Sequence, residues 1–271
     1  MMNSKEKVLF TKRFFPAGTY TWTVPEGVTS VDVFLVGAGG GSNWVSSYGA
    51  TGGGGGGYTK AFRGTGYVAP SSGTWEGTAT EGRDGNAISV TPGESIKVIV
   101  GGGVAGGNGG YSQFKNSNYR AEGGYAATSW SQGANGGSGG SSGRGSYSQD
   151  ISRAGSDGSD ATGGIYQAKG QGHTTRDFGE STGLRNAGGG ANLYGINELG
   201  GMQISYPGVS DYSKGTGNYQ AGSNGQWRPG NGGGGYGGGA GTPMNDGGNE
   251  SLVRPQKGGD GTVLIRYYAY E

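Results

Sequence analysis

Ser30-Val31-Asp32-Val33-Phe34-Leu35-Val36-Gly37-Ala38-Gly39-Gly40-Gly41 runs from a strand into glycine without a break. Val31 to Val36 is apolar except for Asp32, the pattern of a central strand. The same junction recurs twice. Ile96-Lys97-Val98-Ile99-Val100 leads into Gly101-Gly102-Gly103, and Gly258-Gly259-Asp260-Gly261 leads into Thr262-Val263-Leu264-Ile265-Arg266-Tyr267. Strands therefore flank the glycines on both sides. The sequence reads as a strand scaffold that pins a large glycine-rich body at its two ends.

The rest of the scaffold follows from local pattern. Tyr20, Trp22 and Val24 alternate with threonines, which suits a strand with one buried face, and Pro25-Glu26-Gly27 makes a turn. Tyr58 to Phe62 reads as a short strand after the glycines at 52–57. Ile88 to Val90 and Ile96 to Val100 read as strands joined by Thr91-Pro92-Gly93-Glu94, a type II turn whose third residue needs positive φ. In the last strand, Val263, Ile265 and Tyr267 share one face, and Leu264, Arg266 and Tyr268 the other. No segment shows helical periodicity with caps. The division expected is an N-terminal arm, 1–13, and a single glycine-rich domain, 14–271. Within that domain, 14–100 and 261–271 form the β framework and 101–260 the glycine-rich body.

The chain has 271 residues, of which 69 are glycine, where ordinary usage is about 7%. Such a level usually means disorder, but disordered chains are aromatic-poor and strongly charged. This chain has 17 Tyr, 5 Trp and 7 Phe at a net charge of +1. Its 8 prolines and its lack of glycine at every third place exclude collagen. Near-neutral charge argues against a nucleic-acid partner. No run is long enough for a membrane span, so no membrane insertion is expected. The polar N-terminus leads to no signal-peptide core, which places synthesis in a cytosol without standard export. With no cysteine, stability must come from packing and hydrogen bonds.

Ordering so much glycine needs a physical source. Glycine loses more backbone entropy on folding than any other residue and buries no side chain in return. The backbone remains. Threefold extended helices carry no internal hydrogen bonds. Glycine lets such helices approach until N–H meets C=O between neighbours, at about 0.5–1.5 kcal/mol net per bond. Cα–H···O contacts add about 0.5–1 kcal/mol each. A packed polyglycine-type bundle is therefore expected in the body, with strands as anchors and scattered Tyr and Trp as clamps.

Sites for chemistry are sparse. His173 is the only histidine, and nothing around the serines resembles a nucleophile elbow. The glycine runs precede no helix and contain no phosphate-loop motif. Asp157, Asp160, Asp246 and Asp260 lack the spacing of calcium repeats and read as turn aspartates. No catalytic residue, metal or cofactor is expected. Tyr20, Trp22 and Phe34 read as core. Tyr147, Tyr166, Tyr194, Tyr206, Tyr212, Tyr219 and Trp227 differ, because they sit in polar segments without apolar neighbours. Two readings stand side by side for them. They contact a receptor, as amphipathic aromatics do at recognition surfaces, or they clamp the glycine helices or line a subunit interface.

The framework motifs carry a family resemblance. Gly18-Thr19-Tyr20-Thr21-Trp22-Thr23-Val24-Pro25-Glu26-Gly27-Val28, the 31–41 stretch, Val98-Ile99-Val100-Gly101-Gly102-Gly103, Gly109-Gly110-Tyr111-Ser112-Gln113-Phe114 and Gly259-Asp260-Gly261-Thr262 together resemble the glycine-rich domain of bacteriophage tail and fibre proteins. A similar arrangement occurs in the extracellular glycine-rich region of anaplastic lymphoma kinase, so the fold leaves the function open. The resemblance implies an all-β fold: a β-sandwich, jelly-roll-like, with a large glycine-rich insertion forming polyglycine II-type helices. It implies a virion protein made in the host cytoplasm. The leading expectation is a non-enzymatic receptor-binding adhesin whose partners are other virion proteins and a host surface polysaccharide or outer-membrane protein. The alternative is a purely structural tail, collar or head component. Fibres are often trimers, but no heptad enforces a homotrimer here.

Overall fold

A computed structural model of the chain describes residues 6–45, 49–50, 54–55, 57–64, 84–128, 134, 136, 237, 239 and 257–270. Its regular elements are eleven strands: β1 Lys7–Phe14, β2 Gly18–Thr23, β3 Ser30–Val36, β4 Trp44–Val45, β5 Gly49–Ala50, β6 Thr59–Phe62, β7 Ile88–Ser89, β8 Ser95–Val100, β9 Ser112–Phe114, β10 Arg120–Ala121 and β11 Thr262–Tyr270. No helix occurs among the described residues.

Nine of the strands form two antiparallel layers, and β4 and β5 pair with each other in a separate two-stranded sheet. One has the order β1-β11-β3-β6, with β7 also paired to β3, and the other the order β10-β9-β8-β2. The last strand of the chain thus lies between the first and third. It pairs Val263 with Leu35 and Ile265 with Val33. Residues 7–13 of the expected 1–13 arm form most of β1 and pair with β11 from Lys7↔Tyr270 to Arg13↔Leu264.

The layers meet sandwich-fashion across one apolar core. Val31, Val33, Leu35, Val263 and Ile265 of the first layer face Trp22, Ile96, Val98, Val100 and Phe114 of the second. Each fully buried side chain of this size contributes about 1.5–3 kcal/mol. Trp22 bridges the layers, its ring 5.3 Å from Tyr267 and 6.0 Å from Phe114. The expected alternation holds: Val263 and Ile265 point into this core, while Leu264 joins Phe34, Val36 and Ala61 in a second cluster on the outer face. Trp22 and Phe34 are buried, as expected. Tyr20 is half-buried against the core, and its hydroxyl donates to the Pro16 carbonyl at 2.6 Å.

Both expected turns form. Glu94 N–H donates to Thr91 O at 2.9 Å, and Gly93 takes φ +79°. Val28 N–H donates to Pro25 O at 3.2 Å, and Gly27 takes φ +76°. A Cβ is strained at either glycine.

Candidate functional site

The glycine runs continue the strands and keep their registers. β3 pairs with β6 at Val36↔Thr59. One step beyond, Gly37 N–H donates to Tyr58 O at 2.9 Å, and three residues later Gly40 N–H donates to Gly55 O at 2.8 Å. β3 pairs with β11 at Val36↔Thr262, and Gly39 N–H donates to Gly259 O in that same register. The β8–β9 pairing extends to a bond from Gly110 N–H to Gly102 O, and the β9–β10 pairing to one from Gly109 N–H to Gly124 O.

The direction of bonding changes at the strand ends. Along a strand, successive residues address two neighbours in alternation. Along 37–41 they address three. Gly37 and Gly40 donate to the 54–58 segment, Ala38 and Gly41 to Gly110 and Gly107, and Gly39 to Gly259. The pattern repeats every third residue. Acceptors follow it too, since Ala38 O and Gly41 O receive Gly124 N–H and Ala127 N–H at 2.9 Å each.

These bonds tie one layer of the sandwich to the other. The 37–41 segment extends β3 of the first layer. The 107–110 and 122–127 segments precede β9 and follow β10 of the second. Stacked sheets stand about 10 Å apart because side chains fill the gap, whereas hydrogen-bonded strands stand about 4.8 Å apart. Removing the side chains lets the two layers close until their backbones bond directly. The approach tolerates no Cβ: one on Gly37 or Gly40 would overlap the carbonyl of Glu122 or Tyr125, and one on Gly57 or Gly54 that of Gly37 or Gly40. This bundle of hydrogen-bonded segments draws on 37–41 and on Gly54, Gly55, Gly57 and Tyr58, all within the 14–100 stretch of the sequence.

Two polar side chains pin the bundle to the sandwich. Ser112 is fully buried; its hydroxyl donates to Val36 O at 2.6 Å and accepts Gly101 N–H at 3.0 Å. Asp260 accepts Gly103 N–H at 3.1 Å and pairs with Lys257 at 3.0 Å. Burial pushes the Asp260 carboxyl up, but the Lys257 and backbone N–H hydrogen bonds outweigh it and hold its pKa below the ordinary aspartate value. Sequence reading saw Asp260 as a turn aspartate, and the structure makes it a clamp. The signal available was its position, between glycines at the entrance to β11. Ser112 stood inside a quoted motif, but no local feature marks it as a bridge.

Tyr147, Tyr166, Tyr194, Tyr206, Tyr212, Tyr219, Trp227 and His173 lie outside the described residues. The bundle nevertheless holds the chain on both sides of them. Before them, Ala127 N–H bonds Gly41 O. After them, Gly237 N–H donates to Asp260 O at 2.8 Å, Gly237 O accepts from Gly57 N–H at 2.8 Å, and Gly237 lies against the Val36 side chain. Among the described residues, no group of three or more His, Cys, Asp or Glu could hold a metal, and no helix is long and apolar enough to cross a membrane.

Strand-to-glycine junctions with a three-residue bonding repeat are what a dedicated glycine-rich module would need. A family model described as a glycine-rich domain matches residues 15–268. The chain belongs to that family. No curated protein matches it. The matched span of the glycine-rich domain takes in every strand junction described above, from β2 to β11.

Proposed function

We propose that this glycine-rich domain is a non-enzymatic bacteriophage virion protein, a receptor-binding adhesin that displays tyrosine-bearing loops on a rigid glycine bundle. In this reading the sandwich is jelly-roll-like and the glycine segments are polyglycine II-type helices. The three-residue bonding repeat along 37–41 supports the helices, since that is the period of such a helix.

One observation carries the display role. The bundle fastens the backbone just before and just after the long segment that contains the seven candidate aromatics. A loop fixed at both ends pays less ordering entropy on binding than a free tail. Repeated copies on a particle raise weak contacts through effective concentration. The partners are other virion proteins and a host surface polysaccharide or outer-membrane protein.

A second reading is a purely structural tail, collar or head component. It is favoured by β1, an eight-residue strand at the end of its layer. Among the described strands β1 has no partner on its outer edge, and an edge of that length is a ready template for a strand from another subunit.

Gold labelling with an antibody to this chain on intact phage particles, combined with competition of adsorption by the purified protein, separates the readings. Label at the tail tip with blocked adsorption is the expected result. Label elsewhere on the particle with adsorption unaffected favours the structural reading. Particles that never carry the chain overturn both.

A further inference from the structure

The outer face of the β1-β11-β3 layer carries a groove of about 520 Å³, far in sequence from the candidate loop aromatics and lined by residues of 7–9, 27–32, 64, 87 and 266–268. Its size lies in the range of small-ligand sites. Its walls and floor differ in chemistry. Leu9 and Tyr268 face each other across β1 and β11 and are 44% and 58% exposed. They form an exposed apolar platform at one end of the sheet's outer face. Beside them Lys7 stands opposite Tyr270, its ammonium 5.2 Å from the ring centroid. The floor is an ion pair, Arg266 to Asp32 at 2.7 Å, and the second Asp32 oxygen accepts Gly64 N–H at 2.9 Å. Exposed Thr29 and Ser30 complete the far wall.

We propose that this groove binds a pyranose unit carrying a carboxylate or phosphate, with Tyr268 as the stacking platform and Lys7 as the anion contact. A pyranose has an apolar C–H face and a rim of hydroxyls that both donate and accept. An exposed tyrosine ring suits the first, since its amphipathic body offers a large contact area. A carboxylate fixed beside a guanidinium, with two hydroxyl side chains nearby, suits the second. The charge of the ligand follows from the groove's ions. Among the described lining residues, Arg266 pairs with Asp32, and the Lys7 ammonium is the remaining charge at the rim. Glu6 adjoins Lys7 in sequence but does not line the groove. The inference goes beyond the display reading: it uses none of the loop aromatics and stands whether or not the chain belongs to a phage particle.

The test is calorimetric titration of the full chain with trigalacturonate, maltotriose and inorganic phosphate, repeated with Tyr268→Ala and Lys7→Gln. Both side chains are exposed, and unchanged thermal unfolding confirms that each variant folds. Trigalacturonate is expected to bind more tightly than maltotriose and phosphate, and more weakly as salt rises. Tyr268→Ala should weaken trigalacturonate about tenfold, the scale of one aromatic contact. Lys7→Gln should remove the preference for the acidic sugar, while Tyr125→Ala, an exposed tyrosine elsewhere, changes nothing. Equal binding of maltotriose and trigalacturonate overturns the anionic assignment. Binding untouched by Tyr268→Ala, or no binding of any of the three, overturns the site.

Discussion

In the sandwich, Trp22, Ile96 and Phe114 are buried by other side chains. Gly37 and Gly40, just past the end of β3, whose Val33 and Leu35 lie in that same core, are buried by carbonyl oxygens. The two regions share strands and registers, yet what holds them differs. The first gains from removing apolar surface from water, the second from backbone hydrogen bonds that only a side-chain-free chain can make in three directions. The comparison teaches that register is a transferable property. Strand pairing fixed by apolar side chains is handed on to glycine segments that could not specify it themselves.

The sharpest way to break this contrast is to attack the sandwich by volume. Phe114→Ala leaves a hole at a fully buried position and should cost about 3–5 kcal/mol in urea unfolding. A loss below about 1 kcal/mol would mean that the apolar core is not what holds the layers. In the bundle the opposite change should hurt. Gly57→Ala adds one methyl group where the Gly37 carbonyl already sits, and should cost about 1–3 kcal/mol or more. The amides of Gly37, Gly39 and Gly40 should speed in hydrogen exchange in that variant. Unchanged stability and exchange would show that the bundle is looser than its bonds imply.

The junction is tested by Ser112→Ala. It leaves the Gly101 N–H without its Ser112 acceptor and Val36 O without the hydroxyl donor, both buried, and should cost about 1–3 kcal/mol in the same unfolding measurement. An effect near zero would uncouple bundle from sandwich. The smallest effect expected is that of pH on Asp260. Its pKa is lower folded than unfolded, so its stabilisation is present above the ordinary value of 3.8 and is lost as pH falls through the lower folded value. Asp260→Asn should flatten the acid limb of a plot of unfolding midpoint against pH. An acid limb as steep as that of the parent would assign the sensitivity to other carboxylates.

Much of the sandwich was legible from local pattern. Alternation put Trp22 on a buried face and Ile265 and Tyr268 on opposite faces of the last strand, and Pro92-Gly93 announced a turn that requires positive φ. The need for a backbone-bonded glycine assembly was legible too, because no other force was at hand. Neither the neighbours nor the clamps could be read. Gly39 meets Gly259 across most of the chain, and two glycines carry no side chain by which to recognise each other. Ser112 and Asp260 look like ordinary turn and strand-end residues until the segments they bridge are brought together. The groove was hidden for a similar reason: Lys7, Leu9, Asp32, Arg266 and Tyr268 are distant in sequence and become one surface only through the insertion of β11 between β1 and β3.

By itself, then, the order of residues determined which segments extend, which side chains share a face and where side chains vanish, because period, turn chemistry and glycine content act over a few neighbours. Only the tertiary structure decided which glycine segment lies against which. That choice belongs to the strand registers on either side, set by apolar contacts between residues more than 200 positions apart, such as Val33 and Ile265.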